Sequence, residues 1–116
     1  MEFAVSRTGT TLVTLHGGSE TTASDEATAT LADTFETLAA EGAIADWEIE
    51  DVDVYEHPTG PFDPYTIALE FSVTVTVAAD DADDAVESGA SAIDAALTDT
   101  DVDVVSYTSS PTASAV

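Results

Sequence analysis

The sequence predicts an α+β sandwich in which two helices cover one face of a mainly antiparallel sheet. Three observations support this prediction: an unbroken apolar–polar alternation over 65–77, two segments with helical spacing, and shorter apolar segments between and around them. Their order along the chain is β-α-β-β-α-β, and both helices are expected to pack on the same side. Right-handed crossovers place the first and third strands side by side in the middle of the sheet.

The first and third strands are expected to be the longest. Residues 2–16 form either one long strand or a hairpin that turns at Thr8-Gly9. Residues 65–77 alternate strictly, with a period of two that predicts a strand buried on one face. The face predicted to be buried consists of Tyr65, Ile67, Leu69, Phe71, Val73, Val75 and Val77.

Two segments are predicted to be helical. The first is expected to begin at Ser24-Asp25-Glu26, where a capping side chain precedes two carboxylates, and to end at Gly42,. The second is expected to begin at Asp80-Asp81, and Gly89 in its interior costs about 1 kcal/mol relative to alanine, which suggests close packing on the sheet,. The predicted buried faces are Ala27, Leu31, Phe35 and Leu38 in the first helix, and Ala82, Val86, Ala90, Ile93 and Leu97 in the second.

The remaining strands are less regular. Trp47 and Ile49 alternate in one register and Val52 and Val54 in the other, so a bulge near Glu50 is expected to bring all four to the same face,. Prolines and glycine mark a loop over 58–64, and apolar residues over 102–107 predict a short last strand,. We expect one domain over residues 1–108 and a frayed Ser/Thr/Ala/Pro-rich tail over 109–116,.

The predicted element order resembles the ferredoxin-like α+β sandwich. This resemblance rests on the succession of strands and helices rather than on a sequence motif. Enzymes, regulators and scaffolds share that arrangement, so the resemblance implies a fold and no particular activity.

The charge of the chain is extreme. It contains 24 acidic residues and a single basic residue, Arg7, which gives a formal net charge of −23 at pH 7. Nucleic-acid phosphates are bound mainly by lysine and arginine, and anionic membranes attract basic segments, so neither class of partner is expected. We expect solvent cations to gather at the carboxylate clusters instead.

The composition resembles that of haloarchaeal proteins, which are acidic and almost free of lysine. At about 1 M salt the Debye length is only about 3 Å, so surface carboxylates repel one another weakly. Since 44% of the residues are hydrophobic and periodically placed, we expect a folded, salt-adapted (halophilic) protein. Met1-Glu2-Phe3 is not a cationic leader and no stretch of about 20 apolar residues follows, so a cytoplasmic location is expected,. The chain has no cysteine, which excludes disulfides and thiolate metal ligands.

Arg7 and the glycines after His16 are candidates for binding an anion. His16-Gly17-Gly18, with Thr21, Thr22 and Ser24 at a helix start, would cradle an anion in backbone amides, but the spacing of a P-loop is absent and a flexible β–α connection is favoured,. For Arg7, an ion pair with a neighbouring carboxylate is favoured over a ligand.

Other candidate residues have plain structural interpretations. Asp80, Asp81, Asp83 and Asp84 lack EF-hand order and are expected to form a solvated helix N-terminus, so no metal site is predicted,. His57, near Glu56 and Asp63, has no partner at a fixed spacing,. Trp47 and the aromatic ends of the 55–65 loop, Tyr55 and Tyr65, are favoured as core and loop anchors over a ligand pocket,. No catalytic residue and no cofactor is predicted.

The back of the long third strand is poor in charge. It consists of Thr66, Ala68, Ser72, Thr74 and Thr76, with Glu70 as its single ionised member. Threonine simply suits strands, but an uncharged face on so acidic a chain favours coverage by a second copy. We therefore expect a homodimer through this face, with Glu70 at the rim or against Arg7 of a neighbouring strand or of the other subunit.

Two functions are compatible with these observations. The favoured one is a non-catalytic, self-associating binding or interaction module. The alternative is a small dimeric ferredoxin-like enzyme, similar to small monooxygenases, with a pocket between sheet and helices lined by His16, His57 or Trp47. No motif in the sequence names a ligand, a reaction or a partner.

Overall fold

The structure, a computed structural model, describes residues 1–16, 19–56, 60, 63–98 and 104–115. Within these residues the chain forms an antiparallel sheet and two helices, which confirms the predicted α+β class. The elements in chain order are β1 (Glu2–Leu15), α1 (Glu20–Ala40), β2 (Asp46–Glu56), β3 (Tyr65–Ala78), α2 (Ala82–Thr98), β4 (Val104–Tyr107) and β5 (Thr112–Ala115).

The two longest strands lie in the middle of the sheet. The strand order is β2-β3-β1-β4, and β5 also pairs with β1. β1 is one continuous strand rather than a hairpin, and its pairing with β3 runs unbroken from Glu2↔Ala78 to Leu15↔Tyr65. Fourteen residues of continuous pairing explain why no turn forms at Thr8-Gly9, since β3 satisfies the backbone groups there,.

The end of the chain forms a strand, which the sequence did not predict. Residues 112–115, expected to be a frayed tail, pair as β5 with residues 3–6 of β1, next to the pairing of β4 with residues 9–11. Between β4 and β5 the chain stays bound to β1, because Thr108 N donates to Thr8 O at 2.9 Å and Thr8 N donates to Ser109 Oγ at 3.0 Å. β4 and β5 thus continue one another along the edge of β1 and satisfy backbone groups that would otherwise be unpaired.

The helices begin at caps, and α1 begins earlier than predicted. Ser19 caps it, its Oγ accepting from Thr22 N at 3.2 Å, so the predicted start at Ser24 is wrong and Ser24 lies inside the helix. α1 ends as predicted before Gly42, whose φ of +80° favours glycine,. At the start of α2 the Asp81 carboxylate accepts from Asp84 N at 2.8 Å.

The core lies between the helices and one face of the sheet. The predicted faces of α1 and β3 are confirmed, since Leu31, Phe35 and Leu38 are buried against alternate residues of β3. The Phe35 ring lies 5.3 Å from Phe71 and 5.6 Å from Trp47 between centroids. The buried residues of β3 are Ile67, Leu69, Phe71, Val73 and Val75.

The bulge in β2 forms where the sequence predicts it. Pairing with β3 shifts between Ile49 and Asp51, so that Ile49 lies opposite Phe71 and Asp51 opposite Glu70. Because Glu50 is the extra residue, the apolar side chains before and after it pack on the same core,. The last predicted strand is confirmed over residues 104–107, and Val102 lies outside the described residues.

The buried face of α2 is confirmed at Ile93 and Leu97 and differs from the prediction over the first half of the helix. The buried residues are Ala85, Gly89, Ile93, Ala96 and Leu97, while Ala82 is exposed and Val86 and Ala90 are half-buried. The reason is Gly89, where a Cβ atom would collide with the Val5 side chain of β1. The missing side chain lets the helix backbone approach the sheet, which decides which face of α2 turns inward, and it confirms the close packing predicted at Gly89.

Gly89→Ala should lower the free energy of unfolding. In an open helix this change stabilises by about 1 kcal/mol, but overpacking against Val5 should cost about 1–3 kcal/mol and reverse the sign,. Urea unfolding in molar KCl measures the difference. Val5→Ala removes the colliding Cγ1 and Cγ2 atoms and leaves the Cβ atom, so it relieves part of the clash, and the double variant should be more stable than the sum of the two single effects requires,. A Gly89→Ala protein as stable as the wild type would contradict the close approach.

Candidate functional site

The residues predicted to line an enzyme pocket are not brought together. His16 is exposed just beyond the end of β1, beside the β3 residue Tyr65, whereas Trp47 pairs with Val73 and packs on Phe35 in the core. Eight residues along β3 separate these two positions, which corresponds to roughly 26 Å. His57 and Gly17-Gly18 lie outside the described residues.

The acidic residues at the start of α2 are exposed. Asp81 caps the helix and Asp80, Asp83 and Asp84 surround it, which is the arrangement of a solvated helix N-terminus,. Over the described ranges no group of three His, Cys, Asp or Glu residues is placed to hold a metal ion.

A cleft of about 780 Å³ opens beside this helix start, at the end of the sheet where Met1 and Ala78 lie. Its charged lining consists of Asp80, Asp84 and Glu87. The lining also includes Ser88 and Ser91, and the cleft differs from the predicted pocket in both place and residues. Neither α1 nor α2 is long and apolar enough to cross a membrane.

Arg7, the single basic residue, points from β1 toward the helices. It lies opposite Val73, and its guanidinium carbon sits 3.6 Å from the centre of the Tyr107 ring of β4. Gly9 is the residue opposite Tyr107 in the pairing of β1 with β4. The Tyr107 hydroxyl in turn donates to Asp94 Oδ1 of α2 at 3.2 Å.

Arg7 therefore has a different partner from the one predicted. Across the described part of the chain it forms no ion pair with a carboxylate, its Nε is buried without a hydrogen-bond partner, and its guanidinium stacks on Tyr107 instead. Stacking on an aromatic ring contributes about 0.5–2 kcal/mol, depending on how far the cation is desolvated. A series of side-chain contacts thus runs from β1 through β4 to α2, formed by Arg7, Tyr107 and Asp94.

The predicted meeting of Glu70 with Arg7 is wrong. Glu70 lies opposite Thr10, which is three residues from Arg7 along β1. Successive side chains of a strand point to opposite faces, so Arg7 faces the helices and Glu70 faces away from them. The same orientation keeps Arg7 from meeting Glu70 of a second copy packed on that side.

The face of the sheet turned away from the helices, here called the open face, is poor in charge along β1 and β3. Almost all of its residues are half-buried by their neighbours in the sheet, and Ser6 Oγ and Thr74 Oγ1 form a hydrogen bond of 2.7 Å across the two strands. The outward residues along most of both strands are Ala4, Ser6, Thr8, Thr10, Leu12 and Thr14 of β1, and Thr66, Ala68, Glu70, Ser72, Thr74 and Thr76 of β3.

The β2 edge of the open face, in contrast, is rich in charge. Asp46, Glu48, Asp51 and Asp53 lie opposite outward residues of β3 and are all exposed; we call them the acidic column. At the other edge, the outward residues of β5 are Thr112 and Ser114, opposite Ser6 and Ala4. Charge on the open face is thus concentrated at the β2 edge, and the exceptions are Glu70 in the middle of the face and Glu2 at the end of β1.

The sequence indicated one half of this arrangement. The period of two in β3 identified its uncharged outward residues, but the contribution of β1 depended on knowing that β1 is one strand in register with β3. The Arg7–Tyr107 contact carried no sequence signal, because it joins residues a hundred positions apart across Gly9.

Tyr107→Phe should alter the dependence of stability on alkaline pH. Burial, and then the hydrogen bond and charge of Asp94, raise the pKa of Tyr107 above its ordinary value of 10.0, while Arg7 lowers it by a smaller effect. A group whose pKa is higher in the folded than in the unfolded protein stabilises the fold at pH values below its unfolded pKa. That stabilisation is lost as the pH rises through the folded pKa. The stability advantage of the wild type over Tyr107→Phe should therefore shrink above about pH 10.

Urea unfolding from about pH 8 to about pH 11 measures this change. In Arg7→Gln the loss should begin at the same pH but continue to higher pH, because the charge that lowers the Tyr107 pKa in the folded protein is gone,. A wild-type advantage that stays constant over this range would contradict the contact.

Two features of the described residues are distinctive: the stacking of Arg7 on Tyr107, and a charge-poor open face beside the acidic column. Comparison of the chain with known protein families, with curated proteins and with solved structures finds no match. The function must therefore be argued from the physical chemistry of these two features.

Proposed function

We propose that this protein is a non-catalytic, self-associating interaction module that forms a homodimer through its open face. The observation that supports the proposal is the distribution of charge. A chain with a formal net charge of −23 carries its carboxylates on the exposed sides of both helices and along β2, yet has only Glu70 in the middle of the open face.

Repulsion opposes contact through any of the acidic surfaces. Juxtaposed like charges cost several kcal/mol at an interface, so an isologous contact needs a self-complementary patch that lacks them. The open face offers such a patch, because small hydroxyl and methyl groups cover β1 and β3 and a second copy would present the same groups. Glu70 is then the awkward member, and it lies beside Thr10, whose hydroxyl can donate to a carboxylate.

Pairing through the strand edges is less favourable. Register shifts interrupt β2, whose outward residues are acidic, and β4 and β5 are separated by a short irregular segment containing Pro111. Bulges, charge and proline are the usual means by which edge strands avoid pairing with another chain. This supports a dimer through the face of the sheet rather than through its edges.

We interpret the architecture as a ferredoxin-like sandwich extended by β5. In a two-layer sandwich the helix-free face of the sheet remains open and commonly packs against its counterpart in a second copy. The interpretation rests on the order β2-β3-β1-β4 and on burial of one sheet face beneath α1 and α2, while β5 is an addition to the four-strand pattern.

The proposal includes a salt-rich cytoplasm as the working environment. Molar salt reduces the Debye length to about 3 Å, which leaves the uncharged open face free to associate while carboxylates elsewhere are screened. Solvent cations are then the partners of the exposed carboxylates, including those around the start of α2. The alternative of a small dimeric enzyme loses support, since His16 and Trp47 occupy distant places on the sheet.

Thr74→Asp should weaken the dimer and leave the monomer folded. Thr74 is half-buried in the open face, hydrogen-bonded to Ser6, so a carboxylate there would be removed from water between the two sheets, against uncharged groups of the second copy,. Light scattering in molar KCl should show a dimeric wild type and a variant shifted toward monomer. Thr30→Asp, on the exposed side of α1, adds the same charge outside the interface and should stay dimeric. A monomeric wild type, or equal dimerisation of both variants, would contradict the proposal.

A further inference from the structure

We infer that the two copies pack with their strands nearly aligned and with the two-fold axis running along the strands, between β1 and β3. In this arrangement the acidic column of each copy lies opposite the edge that β5 and β4 form in the other, with Asp46 opposite β5. The inference rests on the proposed dimer and specifies its geometry.

The shape of the charge-poor area favours aligned strands. β1 and β3 are 14 residues long, about 46 Å, and β3, β1 and β5 together span about 14 Å across the sheet,. Because β5 is only four residues long, the charge-poor area is about 500 Å², less than the roughly 800 Å² that each partner contributes to a standard interface, so most of it must be used,. The overlap of two narrow strips varies inversely with the sine of their crossing angle. Packing at about 30° therefore covers roughly twice the area of a right-angle crossing.

The position of the acidic column then selects between two axes. A two-fold axis across the strands would place β2 of one copy against β2 of the other, so that the acidic column would face itself. An axis along the strands reverses the order of the strands in the facing copy. Each row of residues across the sheet then faces the same row of the second copy, read in the opposite direction. One such row consists of Asp46, Thr74, Ser6 and Thr112, which are successive partners in the four strands.

Inversion of this row gives each charged group an uncharged counterpart. Asp46 would lie opposite the partner's Thr112, and Thr74 opposite the partner's Ser6. Glu70, paired with Thr10 in its own sheet, would lie opposite the partner's Thr10. The Glu70 carboxylate, which lies in the middle of the open face, thereby gains a hydroxyl donor from the second copy. No row at the centre of the interface places two carboxylates against each other.

Cysteine cross-linking tests the geometry directly, because the chain has no cysteine of its own. Asp46→Cys and Thr112→Cys proteins are mixed in molar KCl, allowed to exchange subunits, and treated with a bis-maleimide that spans the roughly 10 Å between packed sheets. We expect covalent dimers in the mixture and none above background in either variant alone. Asp46→Cys mixed with Asp53→Cys is the matched control, since it cross-links only if the acidic columns face each other.

Light scattering of each variant before cross-linking separates the two levels of the proposal. Dimers that link position 46 to position 112 support the geometry. Dimers that link 46 to 53, or that link neither pair, overturn the geometry and leave the homodimer standing. Monomeric wild type at all protein concentrations overturns the homodimer itself.

Discussion

Repulsion among carboxylates is the constraint on which the arrangement of this protein depends. The chain has 24 acidic residues and one basic residue, so pairing of opposite charges can neutralise almost none of them. The fold meets this constraint by position, with the carboxylates at helix surfaces, at the start of α2 and along β2, where solvent ions can screen them,. The middle of the open face and the core remain almost free of charge.

The single arginine is used for a contact within the fold and not for a surface ion pair. A surface ion pair would contribute little, and less still in molar salt. Arg7 instead stacks on Tyr107, which binds Asp94, so that one cation joins β1, β4 and α2 in contacts that are partly shielded from solvent. Another close contact between elements depends on Gly89, which lets α2 approach Val5.

Local patterns in the sequence predicted the elements that depend on local chemistry. The period of two in β3, the apolar face of α1, the bulge at Glu50 and the role of Gly89 were all predictable in this way. Long-range choices were not. β5 forms because β1 offers an unpaired edge. The start of α1 at Ser19 rather than Ser24 was not predictable from cap chemistry, because either serine is a competent cap. The partner of Arg7 and the inward face of α2 likewise depend on how close two elements approach in space.

The most direct test of this account is the dependence of both folding and association on salt. The free energy of unfolding and the dimer dissociation constant can be measured for the wild type from about 0.1 M to above about 1 M KCl, over which the Debye length falls from about 10 Å to about 3 Å. The account predicts that the fold becomes more stable and the dimer tighter as salt rises, with the steepest change at the low end. Equal stability and an unchanged, monomeric state across the whole series would contradict it.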